Sequence, residues 1–306
     1  MKGKKLLQVK VKKEIEWYSF LIITIIALLL LTYIPMLTTI KYSFYDTRVL
    51  SFGGNFNGIT NYRVLMSNNS FVKSLGNTFS LAFLSLLQIP IGFILASLIN
   101  SVGKGITQSI FRVSYYLPNI ITGVSVVLIF QVVLKENNGL LNNLISTLAG
   151  QKITIGWLTN SKFSHFGATI LYIWQNMGYA MLINLASLQS IPSEIYEAAE
   201  VDGANGFKRW LYITIPHMRS CFSFLFITSM INGFARFTDL FIIGNNSSTG
   251  RPGGSLQTLL MYIYQYSFEY PQYGLASAGA MILFALTFTV TLGNLKVTGF
   301  FKKHTD

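Results

Sequence analysis

Long apolar runs separated by short polar stretches organise this chain. Charge-free segments extend from Trp17 to Ile40, Ser74 to Gly103, Val113 to Leu134, Phe163 to Ser193, Ser220 to Ala235 and Tyr270 to Leu295. A helix that crosses a bilayer needs about 20 mainly apolar residues, and five of these runs reach that length. The run from Ser220 is cut by Arg236 and Asp239 but resumes from Leu240 to Ile243, so it reads as a span with two embedded charges. The pattern predicts an all-α fold, a polytopic membrane bundle of six transmembrane helices. Pro90 and Pro118 fall inside the second and third spans, where a missing N–H predicts kinks.

Composition agrees: 51% of residues are hydrophobic and 11% charged, against about a quarter charged in a soluble domain. The net charge of +12 would suggest nucleic acid in a soluble protein, but in a membrane protein it is read as topology. Lys2, Lys4, Lys5, Lys10, Lys12, Lys13, Lys104, Arg112, Lys208, Arg209, Arg219, Lys296, Lys302 and Lys303 share one side. That bias predicts cytoplasmic N- and C-termini, a basic N-terminal segment over residues 1–16, a membrane domain over 17–299 and a tail over 300–306. No nucleic-acid partner is expected. The first run is too long for a signal peptide and lacks a small-residue cleavage site, so it reads as an uncleaved span. The single cysteine, Cys221, excludes an internal disulfide and reads as packing.

Several chemistries are missing. No Gly-rich loop ends in the Lys-Ser/Thr pair that cradles nucleotide phosphates. His165, His217 and His304 stand apart from any second ligand at metal spacing, and no Gly-x-Ser-x-Gly elbow is present. Neither a metal nor a cofactor is expected, and no catalytic residue is assigned.

The most informative stretch is a polar insert over 194–216, on the cytoplasmic side between the fourth and fifth spans. It reads as two short helices with a break. Ser193 is placed to cap the first, and Glu194 and Glu197 complement the positive end of its dipole. Gly203 supplies the left-handed residue that ends it, and Pro216 limits the second helix before the next span. The residues alone allow two readings, an ordinary connecting loop or a helix pair that enters another protein's cleft.

Glu197-Ala198-Ala199, Gly203 four residues later, then Ile213 and Pro216 together resemble the EAA loop of permease subunits of ATP-binding-cassette importers. Asp202-Gly203-Ala204 is similar to the carbohydrate branch, with its maltose-type and glycerol-phosphate-type permeases. The resemblance extends through Asn61-Tyr62, Phe111-Arg112, Leu117-Pro118, Gly156-Trp157-Leu158, Ile173-Trp174-Gln175 and Tyr262-Ile263-Tyr264. Ile215, where the family usually has Leu, and Ser220, where a second proline is frequent, depart from it. The resemblance implies a transport subunit, not an enzyme, in a bacterial plasma membrane. Its implied partners are a second homologous permease, two ATPase subunits, an external solute-binding protein, a carbohydrate substrate and membrane lipid. It further implies that the insert seats in the ATPase with Glu197 as polar anchor, Ala198 and Ala199 as close-contact surface, Asp202 within the motif and Gly203 as the bend.

A hydrophilic solute needs polar groups at membrane depth, facing the bundle interior. Gln175, Asn176 and Tyr179 share one face of the fourth span by i, i+1, i+4 spacing, and Asn232, Gly233 and Arg236 repeat that spacing on the fifth. In maltose-type permeases the corresponding stretches line the sugar site, which makes these six the substrate-binding candidates by resemblance. Amides also join helices in membranes, and glycine permits close packing. Arg236 and Asp239, three residues apart on one helix, could neutralise each other. Trp17, Tyr33, Tyr42 and Trp157 read as interfacial belt aromatics. An ion-coupled carrier would be expected to show paired mid-depth carboxylates or broken helices, and it leaves the insert unexplained.

Overall fold

A computed structural model describes residues 17–18, 21–47, 54–103 and 105–298. The expected N-terminal segment and tail lie outside the described residues. Helix α1, Leu21–Ser43, carries a π-helical turn at Leu29–Tyr33 just before Pro35. Two short antiparallel strands, β1 Tyr45–Asp46 and β2 Asn55–Phe56, are the sole departure from the all-α expectation among the described residues. Asn61, in α2 (Thr60–Ser67), donates from Nδ2 to the Ser43 and Tyr45 carbonyls, both at 3.0 Å, while the Tyr62 hydroxyl donates to Ser43 Oγ at 2.8 Å. Asn61 therefore satisfies the Ser43 carbonyl that the end of α1 leaves orphaned and the Tyr45 carbonyl just beyond it, while Tyr62 holds the Ser43 hydroxyl.

The second apolar run folds as α3, Asn69–Ser85, and α4, Gln88–Ser101. The break falls at Leu86–Leu87, where i to i−3 bonds replace the α ladder, and Pro90 sits in the first turn of α4, where its missing N–H costs nothing. The third run departs further from expectation. Instead of one span, α5 Ile106–Ile120 and α6 Gly123–Val133 meet at 98°. Ile121 and Thr122 are extended between them, three residues beyond Pro118. A short amphipathic helix, α7 (Leu140–Ala149), follows, and then the 26-residue α8, Ser164–Gln189.

The insert forms α9, Ser193–Val201, and α10, Gly206–Arg209, which runs on through a π-helical turn at Trp210–Thr214 and Ile215–His217. Two local expectations are corrected here. Ser193 is the first helical residue and Pro192 holds the cap position, with no side-chain cap bond. Pro216 does not stop the second helix, because the wider π turn ahead of it absorbs the proline.

The fifth run is also broken. Helix α11, Arg219–Phe234, ends before Arg236, and α12, Thr238–Ile243, begins after it. The remaining elements are α13, Leu259–Tyr264, a π-helical turn Gln265–Glu269, and α14, Tyr273–Val297. Among the described residues three helices, α1, α3–α4 and α14, are long and apolar enough to cross a membrane, or four if the α5–α6 pair counts as one broken span.

The α4–α8 layer centres on Phe93, Ala96, Met181 and Leu185, joined by Leu225 of α11. A second cluster joins Leu81, Val127, Phe130, Leu171 and Leu240 around the broken helices. Close approach relies on small residues, as in membrane helix pairs generally. A Cβ on Gly178 of α8 would collide with the Tyr115 carbonyl and Tyr116 of α5. The buried Gln88 donates from Nε2 to Ser229 Oγ at 2.8 Å, tying α4 to α11.

Candidate functional site: the exposed insert and a polar path

The insert is built to be both stiff and uncovered. Gly203 sits at φ +78°, the region that only glycine adopts without strain. Its N–H donates to the Glu200 carbonyl at 3.0 Å and the Ala204 N–H to the Ala199 carbonyl at 2.9 Å, which completes a Schellman stop. Across the break, Arg209 pairs with Glu200 at 2.6 Å, and the Tyr196 and Thr214 hydroxyls meet at 3.0 Å. Trp210 stacks on Phe93 of α4, with ring centroids 5.9 Å apart, and this anchors the insert to the bundle.

Its outward surface is unpartnered. Glu197 and Ala198 are exposed, and Ala199 is half-buried. Val201 is 89% exposed and Phe207 68% exposed. Asp202 follows the helix and Gly203 the cap, both exposed. The five sequence-selected docking residues therefore lie together over seven positions, at the end of α9 and its cap.

The substrate candidates divide differently. Gln175, Asn176 and Tyr179 are half-buried on α8. Asn176 donates from Nδ2 to the Tyr172 carbonyl at 2.9 Å and accepts from Asn119 Nδ2 of α5 at 3.4 Å. Gln175 borders Gly123 at the α5–α6 bend. On α11, Asn232 is exposed, while Gly233 is buried so tightly that a Cβ would sit 2.8 Å from the Ala82 Cα of α3. Asn232 and Gly233 thus face opposite surroundings.

The shared face expected for Arg236 is not realised, because α11 ends at Phe234 and Phe237 turns the chain at φ −141°. Arg236 lies in that break, with its side chain 2% exposed and that of Asp239 14% exposed. Its Nε and Nη2 donate to Asp239 Oδ2 at 3.0 and 2.5 Å, and Nη2 also donates to the Ala168 carbonyl at 3.0 Å. The guanidinium stands 4.6 Å from the Tyr172 ring centroid, a cation–π distance. The Arg236 carbonyl accepts from Thr258 Oγ1 at 2.9 Å. Arg236 and Asp239 do pair, but across a helix break instead of along one helix.

Asn119 was not singled out in the sequence, although an Asn directly after Leu117-Pro118 inside an apolar run is the kind of signal that could have marked it. Trp157 is not a free belt aromatic, since its indole N–H donates to Asn142 at 2.8 Å. A separate cavity of 680 Å³, lined by Gln131, Lys135, Glu136, Thr159, Asn245 and Arg251, includes none of the sequence-selected residues.

Residues 88–300 match the family model for the inner membrane component of binding-protein-dependent transport systems. The chain belongs to this family. It is accordingly a permease subunit of an ATP-driven importer, a transport component and not an enzyme. The multiple sugar-binding transport system permease protein MsmF of Streptococcus mutans is 31% identical over 295 residues, covering 94% of this chain and 97% of that protein. The arabinooligosaccharides transport system permease protein AraP of Bacillus subtilis is 31% identical over 292 residues, covering 95% and 90%. Among solved structures, a bacterial ABC transporter involved in import of the acidic polysaccharide alginate superposes with a TM-score of 0.79 at 22% identity, covering 97% of this chain and 99% of that one. That likeness concerns the fold.

Proposed function

We propose that this permease carries a sugar or oligosaccharide across a bacterial plasma membrane, and that the 194–216 insert is its joint to the ATPase. The observation that carries the joint is the uncovered surface of a rigid, bundle-anchored helix pair. Nothing in a membrane bundle requires Val201 and Phe207 to stand in water, and an apolar patch of that kind marks an interface. Glu197 is the polar anchor of the contact, Ala198 and Ala199 let the partner approach closely, Asp202 lies at its edge, and Gly203 sets the angle. The complete importer then needs a second homologous permease, two ATPase subunits and an external solute-binding protein. Six membrane passages with both termini cytoplasmic fit the basic-residue bias, with the broken α5–α6 and α11–α12 pairs each taken as one passage.

For the sugar path, Gln175, Tyr179 and Asn232 support the reading best, since their side-chain polar groups have no hydrogen-bond partner among the described residues. Polar groups left free on membrane helices face water, substrate or a partner subunit. Asn176 is positioned by its bonds to Tyr172 and Asn119 to present the same face. Gly233 packs against α3, and Arg236 holds the helix break, so both support the path without lining it.

Co-purification tests the joint. An importer carrying Ala198→Trp is expected to lose its ATPase subunits while the two permeases remain together. Retention of the ATPases at the parent level, with sugar uptake intact, would contradict the assignment.

A further inference from the structure

Among the described residues, Arg112 of α5 has no carboxylate paired with it. Its Nη2 donates to Gln108 Oε1 one turn earlier at 2.8 Å and to Gln189 Oε1, the last residue of α8, at 3.3 Å. Gln108 is buried and donates onward to the Ile99 carbonyl at 3.3 Å, and Gln189 donates to Asn100 Oδ1 at the end of α4 at 3.4 Å. One guanidinium thus gathers the cytoplasmic ends of three helices, and its partner Gln189 lies four residues ahead of Ser193, where α9 begins. Its Nε is buried with no partner among the described residues.

The geometry makes this link more than one contact among many. Helices α5 and α8 pack where Gly178 meets Tyr115 and Tyr116, and again at Asn119 and Asn176. From that second contact, Arg112 lies about 10 Å back along α5, whereas Gln189 lies about 20 Å on along α8, at 1.5 Å per residue. The long arginine side chain thus bridges an axial offset of about 10 Å between the two helices. Beneath the insert, a cavity of 380 Å³ lined by Ser97, Asn100, Leu188, Tyr196, Arg209 and Thr214 leaves room for the insert to shift.

We infer that Arg112 is a positioning residue, a latch that makes α5 follow the root of the insert and so carries the insert's displacement to Asn119 and the Asn176 face. The inference rests on the insert being the ATPase joint. Neutral amide acceptors suit such a latch. They satisfy the cation by hydrogen bonds alone, with no carboxylate to desolvate between the helices. Both bonds leave the one Nη2, and lysine offers in its place a compact, more strongly hydrated ammonium on a flexible stem, so Arg112→Lys should restore the link only in part.

The test uses the full importer in nanodiscs, with Cys221→Ala and nitroxide labels at Ser109→Cys on α5 and Glu194→Cys on the insert. Their separation is measured by pulsed electron resonance without nucleotide and with trapped ATP. With Arg112 present, a single distance is expected to persist through both states. Arg112→Met or Gln189→Leu should raise the population at a second distance about tenfold on ATP trapping, the change that 1.4 kcal/mol corresponds to, with Arg112→Lys between. Two variants at different ends of the bond keep the test standing if one fails to assemble. Unchanged distances in both variants, in importers that retain their ATPases, overturn the latch. A parent permease that recruits no ATPase overturns the joint beneath it, a separate result read by co-purification.

Discussion

The buried Arg236–Asp239 pair supplies the sharpest quantitative expectation. With side chains 2% and 14% exposed, neither partner is solvated well enough to stand alone. Removing one partner of a buried ion pair typically costs about 3–5 kcal/mol, because the other is left as an uncompensated charge, whereas an apolar pair of similar volume is often neutral. Asp239→Asn keeps an acceptor near the guanidinium, and Arg236 retains the Ala168 carbonyl and the Tyr172 ring. The expected cost therefore lies near the lower bound, about 3 kcal/mol, still a shift of roughly a hundredfold in the folding equilibrium. The assay heats detergent-purified importer and follows the monodisperse fraction for Asp239→Asn, Arg236→Met and the double variant Arg236→Met/Asp239→Leu. Each single variant should lose heat stability, and the double variant should recover most of it and still move sugar. A double variant as unstable as the singles would refute the ion-pair reasoning. One that is stable but moves no sugar would return Arg236 to the substrate path.

Other expectations follow from single contacts. Gly203→Ala meets no neighbouring atom within 4 Å, so its effect is backbone strain of roughly 1–2 kcal/mol from the left-handed conformation. It should appear as faster amide exchange over α9 without loss of bundle stability. Gly178→Val drives a side chain into the Tyr115 carbonyl, and the expected result is a permease that fails to reach the membrane in fractionation assays. Asn61→Ala strips bonds from the Ser43 carbonyl at the end of α1 and the Tyr45 carbonyl of β1, for about 1–3 kcal/mol, read as proteolysis in the segment after Ser43. Gln175→Ala and Asn232→Ala should slow sugar uptake while leaving heat stability unchanged, since their side chains bond to nothing else in the described chain.

How far the sequence could be read depended on whether the signal was local. The apolar runs located helices, three of them among the described residues long and apolar enough to cross a membrane, and Gly203 and the motif around Glu197 located the insert, because hydropathy and a left-handed stop are properties of neighbouring residues. The two broken spans were not legible in the same way. Proline at 118 was visible, but a bend of 98° three residues later depends on what α6 packs against, Phe130 on Trp174 with ring centroids 5.0 Å apart among others. Arg236 and Asp239 looked like neighbours on one helix. Their pairing across a break is set by Ala168 and Tyr172, more than 60 positions earlier. The placement of the polar candidates was half legible, as residue types on α8 but not the separation of Asn232 from Gly233, which follows from α3 pressing on one side of α11.

The coupling role of the insert is most directly tested by a photo-activated cross-linker placed at Val201, the most exposed apolar residue of α9. In intact membranes it should form a covalent adduct with the ATPase subunit, in a yield that changes when ATP is trapped, while the same probe at the buried Thr214 forms none. Adducts only with lipid or with the second permease, unaffected by nucleotide, would contradict the account.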